Sequence, residues 1–282
     1  MRRKDEKMLD LSNEEMIHMK KDGIEYLQFR KLLSYQDLIV HCYTLKGINV
    51  QPYEFSKENL IDGYHRIGKA LEIENKKIVR PIQTHSDHIE IVSNINLEND
   101  FNQHDFDDVD GLVTAQKDIY LALRYADCLP LYFFDPVKEV VANIHSGWKG
   151  SLKHIGEKAV RKMVEEFGSH SYDILCFMGP SIKSCHFEVE EDVKKQFEED
   201  WKGRKTSDAI IEKGKIKEGK QKYYIDTVKM NRVLLREMGL KDSHIIDSNI
   251  CTVCQHEWMH SYRAEKDKAG RNAAIIGVRG KN

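Results

Sequence analysis

Residues 126–150 read ADCLPLYFFDPVKEVVANIHSGWKG, and their reading decides the fold. Two apolar runs, 129–134 (LPLYFF) and 138–145 (KEVVANIH), are short, aromatic and β-branched, which marks buried strands rather than helices. Asp135-Pro136 between them is a turn dipeptide, so the pair is expected as an antiparallel hairpin. A turn centred near Pro136 and Val137 sets Cys128 opposite roughly His145, at the hairpin's open end. Beyond the loop Ser146-Gly147-Trp148-Lys149-Gly150, residues 151–167 space Leu152, Ile155, Ala159, Val160, Met163, Val164 and Phe167 as one helical face. Gly168 suits a left-handed cap at its end.

Outward from this unit the same alternation continues. Strands are expected at 37–44, 77–82, 88–93, 118–124, 174–180 and 272–279, and helices at 56–72, opened by a Ser56 cap, and 227–238. Residues 94–110 are acidic and irregular up to the turn Asp110-Gly111, and the charged stretch 190–222 reads as a solvated helix and loop. The class is mixed α/β. Neither a repeat nor a low-complexity linker divides the chain, so one catalytic domain over 1–282 is expected.

Composition narrows the function. Of 282 residues 40% are apolar, and 44 basic residues face 46 acidic ones for a net charge of −2. That excludes a largely disordered chain and shows no basic excess for nucleic acid. Runs such as Leu129–Phe134 fall far short of the ~20 apolar residues that span a bilayer, and MRRKDEKMLDLSNEE is no secretory signal. A cytoplasmic protein is expected, with its six cysteines (42, 128, 176, 185, 251, 254) reduced.

Chemistry-bearing residues gather at strand ends. His85, Cys128 and His145 each lie beside a turn, and two imidazoles with a thiolate suit zinc with one position open. Open sites of that kind are catalytic, since they ionise water near neutral pH. Spacing alone leaves the plainer reading open, with Cys128 as core filler and the histidines in ordinary hydrogen bonds. A second set, Cys251-x-x-Cys254-x-His256-x-x-x-His260, has zinc-type donors, but a compact finger needs about a dozen residues between its pairs. An ordinary structural role is preferred there, and Cys185-His186 adds nothing by spacing. Lys149, Arg263 and Arg271 are candidates for holding phosphate, and Asp127 for moving protons.

Gln83-Thr84-His85, DGLVT (110–114), ADCLP (126–130), HSGWKG (145–150), GPSI (179–182), Cys251-Thr252 and Ser261-Tyr262-Arg263 with Gly270-Arg271 occur in that order. Together they resemble the YfiH-like family of laccase-domain proteins, also labelled multicopper polyphenol oxidases, and within it the bacillary YlmD-like branch. The resemblance covers about 35–280 and leaves 1–34 as an N-terminal extension. It implies a four-layer α/β/β/α sandwich of mixed β-sheets with an internal duplication, and a catalytic zinc on His85, Cys128 and His145. It also implies phosphorolysis of adenosine, inosine, guanosine and methylthioadenosine with inorganic phosphate as co-substrate, and deamination of adenosine. The partners would be these small molecules, with no nucleic acid and no membrane, in a monomer or homodimer.

The chain departs from the family's usual phrases in places. Tyr43–Ile48 (YTLKGI) stands where Ser-Thr-Arg-x-Gly-Gly is common, putting Lys46 in place of an arginine. Ala264-Glu265-Lys266-Asp267 follows Ser-Tyr-Arg in place of a second arginine and a short turn. Three rival functions remain in view. Copper oxidation of phenols is discounted because no His-x-His occurs in the chain, although Cu²⁺ can compete for such a site in vitro. A cysteine-type hydrolase or peptidoglycan editing factor would use Cys128 as nucleophile and His145 as base. A binding module would use the Cys251–His260 set as a structural metal site.

Overall fold

The computed structural model describes residues 10–50, 57–73, 77–93, 106–204 and 210–280. Along the chain the strands are β1 (Met16–Lys21), β2 (Ile24–Phe29), β3 (Ile39–Thr44), β4 (Ile78–Val79), β5 (Ile89–Ile91), β6 (Gly111–Thr114), β7 (Tyr120–Tyr125) and β8 (Leu129–Asp135). They continue as β9 (Val140–Ser146), β10 (Leu175–Met178), β11 (Glu188–Val189), β12 (Ile211–Lys217), β13 (Lys220–Ile225), β14 (Ile245–Asp247) and β15 (Asn272–Val278). The helices are α1 (Arg30–Leu33), α2 (Lys57–Leu71), α3 (Trp148–Leu152), α4 (Ile155–Phe167), α5 (Glu191–Trp201), α6 (Thr227–Glu237) and α7 (Tyr262–Glu265).

Two six-stranded sheets carry the fold, ordered β1-β2-β3-β15-β7-β4 and β14-β10-β8-β9-β6-β5. Both are mixed: β4 runs parallel to β7 in the first, and β14 and β5 run parallel to β10 and β6 in the second. Every residue of β8 and β9 is buried, because the second sheet is covered on both faces. The period of two then sorts the side chains. Tyr132, Phe134 and Val141 point into a core shared with Leu121, Leu123, Ala274 and Ile276 of the first sheet. Leu131, Phe133, Ala142 and Ile144 point the other way, onto Ile155, Ala159, Val160 and Met163 of α4. On the outer face of the first sheet, Ala122, Ala273 and Ile275 pack with Tyr64, Ile67 and Ala70 of α2. The stack is therefore helix, sheet, sheet, helix, four layers of mixed α/β. Burying a side chain such as Phe133 or Phe134 contributes roughly 1.5–3 kcal/mol.

Helix α4 ends as expected, with Gly168 at φ +65° and its N–H bonded to the Val164 carbonyl, while Val164 itself faces solvent. The Ser56 cap and most of the acidic stretch 94–110 lie outside the described residues. Two hairpins were not foreseen. Residues 16–29, inside the stretch read as an N-terminal extension, pair as β1 and β2 across Asp22-Gly23, whose φ values of 50° and 75° are those of a tight two-residue turn. Residues 211–225, which begin inside the charged stretch 190–222 expected as helix and loop, pair as β12 and β13 across Glu218-Gly219. Their mostly polar side chains hide the alternation, and Lys217, Lys220 and Lys222 pair with Glu188 and Glu190 instead. Among the described residues no helix is long and apolar enough to cross a membrane.

Candidate active site

The hairpin β8–β9 forms as expected, with a register shifted by two residues. Pro130 faces His145 and Leu129 faces Ser146, which carries Cys128 toward Gly147. A shift of two residues keeps the same face, so Cys128 and His145 still meet. His85 arrives from the loop between β4 and β5 with φ +63°, a left-handed conformation rare for a side chain with a Cβ. Its Nε2 lies 3.7 Å from Cys128 Sγ, and its ring centroid 4.9 Å from that of His145. One donor atom from each of the three falls within 4.8 Å of the others. Gly147 makes this approach possible, since a Cβ there would sit 2.9 Å from His85 Cδ2 and 3.1 Å from Cys128 Sγ.

Asp110 fixes both histidines. The fully buried carboxylate accepts His145 Nδ1 at 2.6 Å, and the backbone N–H groups of Thr84, His85 and Ser86 at 3.1, 3.1 and 2.7 Å. Ser86 Oγ donates to it at 2.8 Å. Its backbone carbonyl also accepts the N–H of His145. With Nδ1 held by a carboxylate, His145 presents Nε2 to the centre, the orientation a metal ligand needs.

The charges follow from this packing. Burial would raise the Asp110 carboxyl, but the hydrogen bond and charge of His145 and the Ser86 and Thr84 donors outweigh it, holding it at about 2. Burial likewise opposes ionising Cys128 and His145. Each nevertheless stabilises the other's charge, bringing the thiol down to about 6 and the imidazole up to about 9, with Asp110 supporting the latter. Without a cation the centre is a thiolate–imidazolium pair. Two imidazoles and a thiolate whose charge is already favoured fit a zinc-type ion.

The trio lines a cavity of about 660 Å³. Leu129, Trp148, Ile182, Phe187 and Tyr262 give it apolar and aromatic walls, while Arg124, Arg263, Lys266 and Arg271 give it positive charge. A second hollow, about 780 Å³ along α5, is lined by none of the trio.

The structure sorts the remaining candidates. Arg263 and Arg271 reach the cavity; Arg263 Nη1 donates to the His186 carbonyl at 2.7 Å, and Arg271 Nη1 to the Ala269 and Gly270 carbonyls at 2.8 and 2.9 Å. Lys149 lies instead over the Trp148 ring, 5.6 Å from its centroid, and does not line the cavity. Asp127 lines it, but its carboxylate is committed to Thr252 Oγ1 and the Arg263 N–H, each at 2.6 Å, which suits it to hold the Cys128 turn rather than to shuttle protons. Lys46 pairs with Glu265 at 2.5 Å and bonds the His256 carbonyl, bracing the loop after Arg263. Sequence reasoning missed Arg124, Lys266 and the role of Asp110. Arg124 sits just ahead of ADCLP, a position that could have drawn notice. Of the second set, Cys251 and Cys254 converge with Cys185 and His186, not with His256 or His260. His256 Nδ1 turns to the Val253 carbonyl at 2.9 Å.

A His/Cys/His cluster of metal-ligating type therefore opens onto a cationic, aromatic-walled cavity in a four-layer sandwich of mixed sheets. The family described as multi-copper polyphenol oxidoreductase laccase matches residues 49–279, and the chain belongs to that family. Over 242 residues it is 32% identical to a purine nucleoside phosphorylase of Borreliella burgdorferi, covering 84% of this chain and 90% of that one. It is 34% identical over 170 residues to purine nucleoside phosphorylase YlmD of Bacillus subtilis, spanning 60% of this chain and only 59% of that relative's length. The crystal structure of the hypothetical protein YfiH from Bacillus licheniformis superimposes with a TM-score of 0.79 at 26% identity, covering 90% of this chain and 96% of that one.

Proposed function

We propose that this chain is a zinc-dependent purine nucleoside phosphorylase, acting on adenosine, inosine, guanosine and methylthioadenosine and also deaminating adenosine. The observation that carries the proposal is the convergence of His85, Cys128 and His145 on a cavity with four cationic side chains. Relatives named purine nucleoside phosphorylase support it. His85, Cys128 and His145 would hold the zinc, which when bound supplies a Lewis acid and lowers the pKa of a coordinated water toward neutrality.

In phosphorolysis a phosphate oxygen attacks the ribose C1′, and the purine departs with the bonding pair. Arg263, with Arg124, Lys266 and Arg271, would hold the phosphate dianion by charge-assisted hydrogen bonds and orient one of its oxygens toward C1′. Phe187, Tyr262 and Ile182 offer the apolar surface against which a purine ring can stack and exclude water. Asp127 would keep the Cys128 turn and the backbone of Arg263 in register. The whole chain would act as one catalytic domain. A cytoplasmic setting belongs to the proposal, because the cysteines are free and the centre needs a thiolate.

Purified protein with adenosine, with and without phosphate, tests the reading when products are separated by mass beside a Cys128→Ala variant. Adenine and ribose 1-phosphate formed only with phosphate support phosphorolysis, and inosine in both tubes supports deamination. Neither product from a zinc-loaded sample would sink the nucleoside reading. A second reading, a hydrolase with Cys128 as nucleophile and His145 as base, is favoured by the thiolate–imidazolium pair. Chelation separates the two, since it should abolish the nucleoside reaction and leave a cysteine hydrolase active.

A further inference from the structure

We propose that Cys185, His186, Cys251 and Cys254 form a second metal site, a closed Cys₃His centre for structural zinc. It is distinct from the trio and does not depend on the nucleoside reading. The four donors come from two segments that are far apart in sequence. Cys185 and His186 lie in the turn before β11, and Cys251 and Cys254 in the turn after β14. A parallel bridge between Ser181 and Cys251 brings the segments together, with Thr252 N–H donating to the Ser181 carbonyl at 3.0 Å.

The geometry is that of a coordination tetrahedron. Bonds of about 2.3 Å to sulfur and 2.0–2.1 Å to nitrogen give edges of roughly 3.5–3.8 Å. Cys185 Sγ lies 3.6 Å from Cys251 Sγ and 3.9 Å from Cys254 Sγ. His186 Nδ1 lies 3.2, 3.7 and 3.5 Å from the sulfurs of Cys185, Cys251 and Cys254. Four donors complete the shell and leave no open position, the mark of a structural rather than a catalytic site. Three thiols and an imidazole, with no carboxylate among them, select a soft or borderline ion over magnesium or calcium. Three thiols also cannot be satisfied by one disulfide.

The site is wired to the cavity. The His186 carbonyl accepts Arg263 Nη1, the next residue Phe187 forms a cavity wall, and Thr252 Oγ1 holds Asp127 beside Cys128. A metal joining the two turns would therefore fix the wall that carries Arg263 before any substrate arrives.

Zinc content of the full chain tests the proposal. The wild type should carry about two zinc ions per chain, one for each cluster, and a His85→Ala/Cys128→Ala/His145→Ala variant about one. Cobalt substituted into that variant should show thiolate-to-cobalt charge transfer and the intense visible bands of a tetrahedral S₃N site. Exposed Cys185 and Cys254 should resist iodoacetamide until zinc is stripped. If the triple variant binds no zinc, or its Cys185 and Cys254 alkylate equally fast with and without zinc, the site does not exist. Cys254→Ser in the same background should remove the remaining ion; should that chain fail to fold, the triple variant and its cobalt spectrum still decide.

Discussion

Asp110 Oδ1 lies 2.6 Å from His145 Nδ1 and also accepts the backbone N–H of His85, so one buried carboxylate orients the His145 imidazole and anchors the loop that carries His85. Asp110→Asn puts an NH₂ group among N–H donors and leaves some of them without an acceptor. Zinc affinity at the trio should fall about 10–100-fold. Stability of the zinc-free protein should fall by about 1–3 kcal/mol. Chelator competition and thermal unfolding measure the two.

The same carboxylate carries an acid signature. Its folded value of about 2 is depressed below the ordinary 3.8, so its stabilisation is complete above the ordinary value and is lost as pH falls through about 2. Acid unfolding of the wild type should steepen across that window, and Asp110→Asn should flatten it. Equal slopes in both chains would mean that Asp110 is not the buried acceptor described.

Gly147 is an issue of space rather than of backbone, since its φ of −67° suits any residue. A Cβ at 2.9 Å from His85 Cδ2 and 3.1 Å from Cys128 Sγ must push one ligand aside. Displacing a reacting group by about 1 Å costs on the order of 100-fold in rate. Gly147→Ala should lose about that much activity while its melting temperature stays near that of the wild type. Full activity would show that the trio is looser than drawn.

Much of this was legible in the chain, for identifiable reasons. Strands β8 and β9 are two-sided and apolar, so LPLYFF and VVANIH announced themselves, and the Asp135-Pro136 turn fixed their pairing to within two residues. That local hairpin brought Cys128 to His145. The four-layer architecture rested on the resemblance, and so did the placing of His85, already a candidate by its turn, beside the other two, because it reaches the centre through a left-handed loop anchored on Asp110, a contact over 25 residues that periodicity does not record. The Cys₃His knot was hidden for the same reason. Cys185 and Cys251 are 66 residues apart and are brought together by long-range contacts such as the Ser181–Cys251 bridge, while the nearer His256 and His260 suggested a ligand set that the turn geometry does not form. Asp22-Gly23 was the one plain signal passed over.

The thiol of Cys128 offers a pH test. Burial opposes its ionisation, but the charges of His145 and His85 bring it to about 6, well below an ordinary thiol. In zinc-free protein, alkylation of Cys128 followed by peptide mass mapping should rise through about pH 6 and be slower in acid, where the thiol is protonated. His145→Ala should move the midpoint up toward the ordinary range. Added zinc should suppress the reaction at neutral pH and above, where the ligands can bind it. A midpoint near 9 in the wild type would remove the ion pair and with it the second functional reading.

Arg263 and Lys149 separate an anion-binding role from a packing role. Arg263 lines the cavity with its fork steadied by the His186 carbonyl, whereas Lys149 lies over Trp148 outside it. Charge-assisted hydrogen bonds contribute about 1.5–3 kcal/mol, so Arg263→Ala should raise the KM for phosphate roughly 10–100-fold. Adenosine deamination, which uses no phosphate, should change far less in the same variant, and that contrast distinguishes lost phosphate binding from a collapsed wall. Lys149→Ala should leave the phosphate KM within about two-fold, as exposed lysines generally do. If Arg263→Ala slows both reactions equally, Arg263 positions the cavity wall instead, and the phosphate site must be sought at Arg124, Lys266 and Arg271.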